Sequence, residues 1–248
     1  MPRRTPATLG PVFDSPHPVS AAHGVVALPG TGSDADFARR AFAPACVARR
    51  LDVVAVEPDP RAVVASYRAA LDAAAAAGPI VVAGISLGAA VAIEWAAEHP
   101  ELTVGVVAAL PGWTGPDTAA CPASLSAGAT AAQLRADGLD AVVARMRASS
   151  PRWLADALTR SWRSQWPNLP AALEEAADYK WPETERLGTI EVPVAVVTAV
   201  DDPVHPFAIA EEWAALIPRS AIHRITLAEL GADPAILGHT GFAALARS

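Results

Sequence analysis

Six short, almost wholly apolar runs are spaced along the chain. They are "GVVALPG" at 24–30, "LDVVAVE" at 51–57, "PIVVAGI" at 79–85, "TVGVVAAL" at 103–110, "VPVAVVTAV" at 192–200 and "SAIHRITL" at 220–227. A strand with one wet face shows a polar residue at every second position. Most of these runs do not, so both faces are expected to be buried. Between them lie helix-like segments with scattered charges at Phe37–Arg49, Asp59–Ala77, Leu87–Glu98 and Pro206–Leu216. Alternating strands and helices bury both faces of a sheet when the strands run parallel and the helices cross over on either side. The expected fold class is α/β, a doubly wound, mostly parallel sheet of about six strands with right-handed crossovers.

The alternation lapses between the fourth and fifth runs. Residues 115–187 hold no convincing strand, are mostly helical in period, and carry four of the seven tryptophans, Trp153, Trp162, Trp166 and Trp181. This stretch leaves the sheet and returns to it. We therefore expect an α/β core built from residues 1–114 and 188–248, with 115–187 as a helical cap or lid over the carboxyl edge of the sheet.

The chain has 248 residues, enough for a sizeable core. Its net charge is −7 and it has no Lys/Arg cluster, which argues against nucleic acid and anionic membranes as partners. Ala73 to Ile93 is a 21-residue stretch without a charge. Gly78-Pro79 and then Gly84, Ser86 and Gly88 interrupt it, so it reads as strand, turn and helix rather than as a membrane span. Cys46 and Cys121 have neither metal spacing nor a disulfide framework. The two arginines near the start are not followed by an apolar segment, so no signal peptide is expected and the location implied is cytoplasmic.

The centre of that uncharged stretch carries the chemistry. Gly84-Ile85-Ser86-Leu87-Gly88 directly follows a buried strand and directly precedes a helix. A serine at the tip of so tight a turn takes a strained backbone conformation that exposes its Oγ. The residues two before and two after it crowd each other, so both must be small. The helix start also directs free N–H groups and a positive dipole end at the site. A serine hydroxyl needs a base, and the base needs a carboxylate to orient it. "VPVAVVTAVDDPVHP" supplies Asp201 or Asp202 after the fifth strand, and His239 is the last histidine of the chain, giving the order Ser, Asp, His. His205, close behind Asp202, is expected to be structural or to sit at a pocket rim, and is the next candidate base after His239. His99 looks like a helix C-terminal residue, His223 lies on a strand, and His17 lies in the N-terminal tail.

With these residues in place, the chain resembles the α/β-hydrolase fold over roughly Gly24–Gln133 and Thr189–Phe242. The resemblance implies an acid four residues before a proline, which Asp202-Pro203-Val204-His205-Pro206 fits, favouring Asp202 over Asp201. It implies a final histidine in a Gly-His-x-Gly-like loop, which "GHTGF" around His239 matches. It also implies an oxyanion hole from the Leu87 N–H and from Thr31 in "LPGTGSDADF", where Pro29 stands in place of the family's usual histidine. The family's sheet has eight strands, so the Pro-rich residues 1–22 leave room for a reduced N-terminal hairpin at most.

The function so implied is a serine hydrolase of carboxylic esters or thioesters. Ser86 is the nucleophile, His239 the base and Asp202 the orienting acid, and the reaction passes through an acyl-enzyme without cofactor or metal. Trp113, Trp153 and Trp162 are expected to line a pocket for a small, apolar ester or thioester. Fold alone does not fix the reaction. The same scaffold would also serve a cofactor-free haloperoxidase, a C–C hydrolase or lyase, or a ligand-binding protein that kept the triad residues.

Overall fold

All six expected strands pair into one sheet. The computed structural model describes Val19 and residues 22–247. The strands are β1 (Val25–Leu28), β2 (Val53–Ala55), β3 (Ile80–Ile85), β4 (Thr103–Ala109), β5 (Val194–Ala199) and β6 (Ser220–Ile225). Their order is β2-β1-β3-β4-β5-β6, and every pairing is parallel. The reading of residues 1–22 as a reduced hairpin, and of His17 as part of a tail, falls almost entirely outside the described residues.

Side chains of a strand alternate between the two faces of its sheet, and here each face has its own helices. Val26, Leu28, Val82, Val106, Val194 and Val196 join a buried cluster with α2 (Val63–Ala75), α3 (Leu87–Glu98) and α9 (Phe207–Leu216). Val25, Val81, Ala83, Val107, Ala195 and Val197 join a second cluster with α1 (Ala35–Val47) and α11 (Ile236–Leu245). This explains why the runs are apolar throughout. The two edge strands, β2 and β6, are only partly buried, because each has a neighbour on one side only.

Residues 115–187 contain no strand. They form α4 (Pro122–Asp137), α5 (Leu139–Ser149), α6 (Arg152–Gln165) and α7 (Leu169–Asp178), followed by the short α8 (Thr184–Gly188). Leu134, Val142, Val143, Trp162, Leu169 and Leu173 give these helices a small core of their own. The last described helices are α10 (Leu227–Ala232) and α11.

The strand order reverses direction between β1 and β3. In open α/β sheets, ligands bind in the crevice at such a switch point, beyond the carboxyl ends of the strands. The residues that emerge there are the loop after Leu28 and Ser86. The turn after β3 leaves no room for side chains. A Cβ on Gly84 would lie 2.2 Å from the Gly88 carbonyl oxygen, and one on Gly88 would lie 2.6 Å from the Leu28 and Pro29 carbonyl oxygens. Both collisions are with backbone. Gly84→Ala is therefore expected to cost about 3 kcal/mol or more, read as a lowered urea midpoint. Gly188→Ala, where a Cβ meets nothing within 4 Å, is expected to change stability by less than about 0.5 kcal/mol.

Candidate active site

Ser86 ends the turn with φ 54° and ψ −115°, a region that side-chain-bearing residues rarely occupy. Such strain costs on the order of 1–3 kcal/mol and persists only where the surroundings enforce it. Here the enforcement is visible. The Ser86 N–H donates to the Ala109 carbonyl of β4 at 2.8 Å, and its carbonyl accepts from Ala89 and Ala90 in the first turn of α3. The backbone is held from both sides, and the hydroxyl faces a cavity.

Across that cavity stands the segment after β5. Asp202 Oδ1 accepts from the backbone N–H groups of Val204 at 2.8 Å and His205 at 3.3 Å, closing a tight turn. Asp202 Oδ2 lies 2.8 Å from His205 Nδ1, and His205 Nε2 lies 2.9 Å from Ser86 Oγ. Burial pushes the Asp202 carboxyl up, but the hydrogen bond and charge of His205 and the two backbone N–H groups outweigh it, holding the carboxyl below its ordinary range. An ionised carboxylate only accepts, so Nδ1 carries the proton facing it. In the neutral imidazole Nε2 is then an acceptor, and Ser86 Oγ–H donates to it. Asp201 is turned elsewhere and accepts from the Leu227 N–H at 2.7 Å, at the start of α10.

The expected meeting of His239 with Ser86 is not found. The segment "GHTGF" is not a loop but part of α11, and His239 is exposed on that helix. The two glycines around it have packing reasons. A Cβ on Gly238 would lie 2.6 Å from the Ala41 carbonyl oxygen of α1, and one on Gly241 would lie 2.4 Å from Val107 of β4. They let α11 close onto α1 and the sheet, which turns His239 outward. His205, expected at the rim, takes the place beside Ser86. The signal for it in the sequence was its spacing, three residues after a carboxylate that can bend the backbone back on itself.

The other expected residues divide. Thr31 lines the cavity, and Leu87 is the first residue of α3. Among the described residues neither backbone N–H has a hydrogen-bond partner. A Cβ on Gly30 would lie 3.4 Å from Ser86 Cβ, so the loop after β1 runs directly beside the serine. Trp153 and Trp162 line the cavity. Trp113 does not. Its indole donates to the Asp117 carbonyl at 2.8 Å, and it packs against the α2, α3 and α9 side of the molecule.

The cavity measures about 780 Å³, within the range of small-molecule sites. Ser86, Asp202 and His205 lie at its sheet side, and α4, α5 and α6 wall the other. Apolar side chains such as Phe37, Met146, Leu158 and Leu230 make up most of the lining. Among the described residues no group of three or more His, Cys, Asp or Glu gathers as metal ligands would, and no helix is long and apolar enough to cross a membrane.

The alpha/beta hydrolase family model matches residues 10–246. The chain belongs to this family. Alpha/beta hydrolases of known structure share its fold at low identity. A candidate non-heme bromoperoxidase, BpoC, from Mycobacterium tuberculosis H37Rv is 21% identical, with a TM-score of 0.66 over 90% of this chain and 93% of its own. A thermophilic esterase from Thermogutta terrifontis is 18% identical, with a TM-score of 0.64 over 83% and 82%. An enol-lactonase from Burkholderia xenovorans LB400 is 14% identical, with a TM-score of 0.61 over 82% and 83%. No curated protein matches the sequence. The family match makes the protein an enzyme of the alpha/beta hydrolase family.

The low Asp202 pKa has a measurable consequence. A carboxyl depressed in the folded state stabilises the fold above its unfolded value of about 3.9, and that stabilisation is lost as pH falls through the folded value. Asp202→Asn removes it. The gap in melting temperature between the native chain and this variant is expected to be widest near pH 6 and to narrow below about pH 4.

Proposed function

We propose that this alpha/beta hydrolase is a serine hydrolase of small, apolar carboxylic esters or thioesters. The observation that carries the reading is the unbroken chain Ser86 Oγ, His205 Nε2, His205 Nδ1, Asp202 Oδ2, at 2.9 and 2.8 Å, on one side of a mostly apolar cavity.

In this reading Ser86 Oγ attacks the acyl carbon while His205 Nε2 takes its proton. The carbonyl oxygen becomes an oxyanion held by the Leu87 and Thr31 N–H groups, which have no other partner among the described residues. His205 then gives the proton to the departing alkoxide or thiolate. Water, deprotonated by the same imidazole, releases the acyl group as the acid and restores Ser86. Asp202 keeps the imidazole in the right tautomer and stabilises its cationic form. Helices α4–α8 act as the cap, and Trp153, Trp162 and Met146 receive the apolar part of the substrate. Cys46 and Cys121 are free and buried, which fits a cytoplasmic protein.

The test is burst release of p-nitrophenol from a short acyl ester, together with labelling by a fluorophosphonate. Ser86→Ala is expected to abolish both. His205→Ala is expected to slow each by at least about 10³-fold, as loss of a triad member does. His239→Ala is expected to leave both unchanged. Asp202→Asn is expected to cost far more than Asp201→Asn. Full activity in Ser86→Ala, or a greater loss in His239→Ala than in His205→Ala, overturns the assignment.

A further inference from the structure

The loop between β1 and α1 is held by side chains from distant parts of the sequence. Tyr67 of α2, whose hydroxyl burial pushes up and keeps protonated, donates to the Pro29 carbonyl at 3.0 Å. The Gly30 carbonyl accepts from the Ser33 N–H at 3.0 Å. Ser161 Oγ of α6 donates to the Gly32 carbonyl at 2.8 Å. Gln165 Nε2, one turn further along α6, donates to the Ser33 carbonyl at 2.9 Å and to Ser161 Oγ at 2.8 Å. Arg160 donates from Nε and Nη2 to the Asp34 carboxylate at 2.9 and 3.0 Å, while Asp34 caps α1 through the Phe37 N–H. Between these contacts the Trp162 indole lies so close that a Cβ on Gly32, which has φ +67°, would stand 2.9 Å from its Nε1.

Ser161, Gln165, Trp162 and Asp34 are 1%, 4%, 6% and 5% exposed. Buried hydrogen bonds of this kind are costly to remove, because the carbonyl left behind stays unpaired. They also fix orientation. A trans peptide points its C=O and N–H in opposite directions. With the Gly30 carbonyl turned to Ser33, the Thr31 N–H faces the other way, and with the Gly32 and Ser33 carbonyls held by α6 the loop cannot rotate to bury it.

We propose that Ser161 and Gln165 are positioning residues that aim the Thr31 N–H at the oxyanion, so that the seating of α6 on the loop assembles half of the oxyanion hole. This rests on the hydrolase reading above. The same helix presents Trp153, Leu154, Leu158 and Trp162 to the cavity.

The variants are Gln165→Met, which keeps the shape and removes both donated bonds, and Ser161→Ala, which removes one oxygen and serves if the first does not fold. Arg163→Gln, on an exposed ion pair of α6 with Asp140, is the control. For p-nitrophenyl esters, Gln165→Met and Ser161→Ala are each expected to lower kcat about 10- to 100-fold, the scale of an ångström-sized misplacement, with KM changed less than about threefold. The affinity of an alkyl boronic acid, which forms a tetrahedral adduct on Ser86, is expected to fall by the same factor as kcat/KM. The double variant should lose little more than either single one, because the two side chains form one chain of bonds. Arg163→Gln should match the native enzyme. Native hydrolysis with an unchanged kcat in both variants, or a lowered kcat with unchanged boronate affinity, overturns the assignment alone. A native chain that neither hydrolyses any ester nor takes up the boronate overturns the hydrolase reading and this assignment together.

Discussion

The backbone contact between the start of α3 and the ends of β1 and β3 governs the rest of the structure. With no Cβ at Gly84 or Gly88, α3 sits against the Leu28 and Pro29 carbonyls, and that approach drives Ser86 into its positive-φ conformation. It also decides where the loop after β1 must run. Leu110, which follows β4 and lines the same cavity, shares the strain with φ 51°. The helix N-terminus, the crevice at the strand-order switch and the wall of α4–α6 meet at Ser86.

Much of this was legible in the sequence, for identifiable reasons. A strand buried on both faces is apolar at nearly every position, so β1, β3 and β5, whose one polar side chain is Thr198, announce themselves. The glycine spacing around Ser86 has one good steric explanation, and Leu87–Glu98 is the helix in both the pattern and the structure. The assignment of His239 illustrates what the pattern lacks. Glycines flanking a histidine look alike whether they permit a loop or let a helix approach its neighbours. At Gly238 and Gly241 the second cause operates, and it involves Ala41 and Val107, which no local pattern connects to them. His205 looked ordinary because the turn that aims it is made by a side chain, Asp202 Oδ1, rather than by a recognisable backbone motif. Trp113 failed as a pocket residue for a related reason: a tryptophan after a strand end can fold to either side of the sheet.

The neighbours in fold space differ widely in chemistry, although their folds superpose over more than four-fifths of the chain. Fold is thus a weak guide to reaction, and site geometry a stronger one. Here the contrast between the two walls of the cavity matters most. The sheet side offers the Ser86 hydroxyl, the His205 imidazole, the Asp202 carboxylate and the Thr31 and Leu87 N–H groups, which have no hydrogen-bond partner among the described residues. The helical side offers mainly hydrocarbon. In the proposed hydrolysis, the oxyanion forming beside Ser86 would face a wall that is mostly apolar.

Asp202 and His205 belong to a single four-residue turn, with Pro203 inside it and Pro206 just after. Their mutual distance is therefore a local property, as stiff as the turn itself. Sliding of β5 against β3 during thermal breathing alters only the gap to Ser86. A chain whose acid and base sit on separate loops has two such gaps to keep in register. The proposed triad has a single adjustable joint, so in that reading pressure, temperature or a bound ligand would tune proton transfer through one coordinate while the imidazole keeps its tautomer.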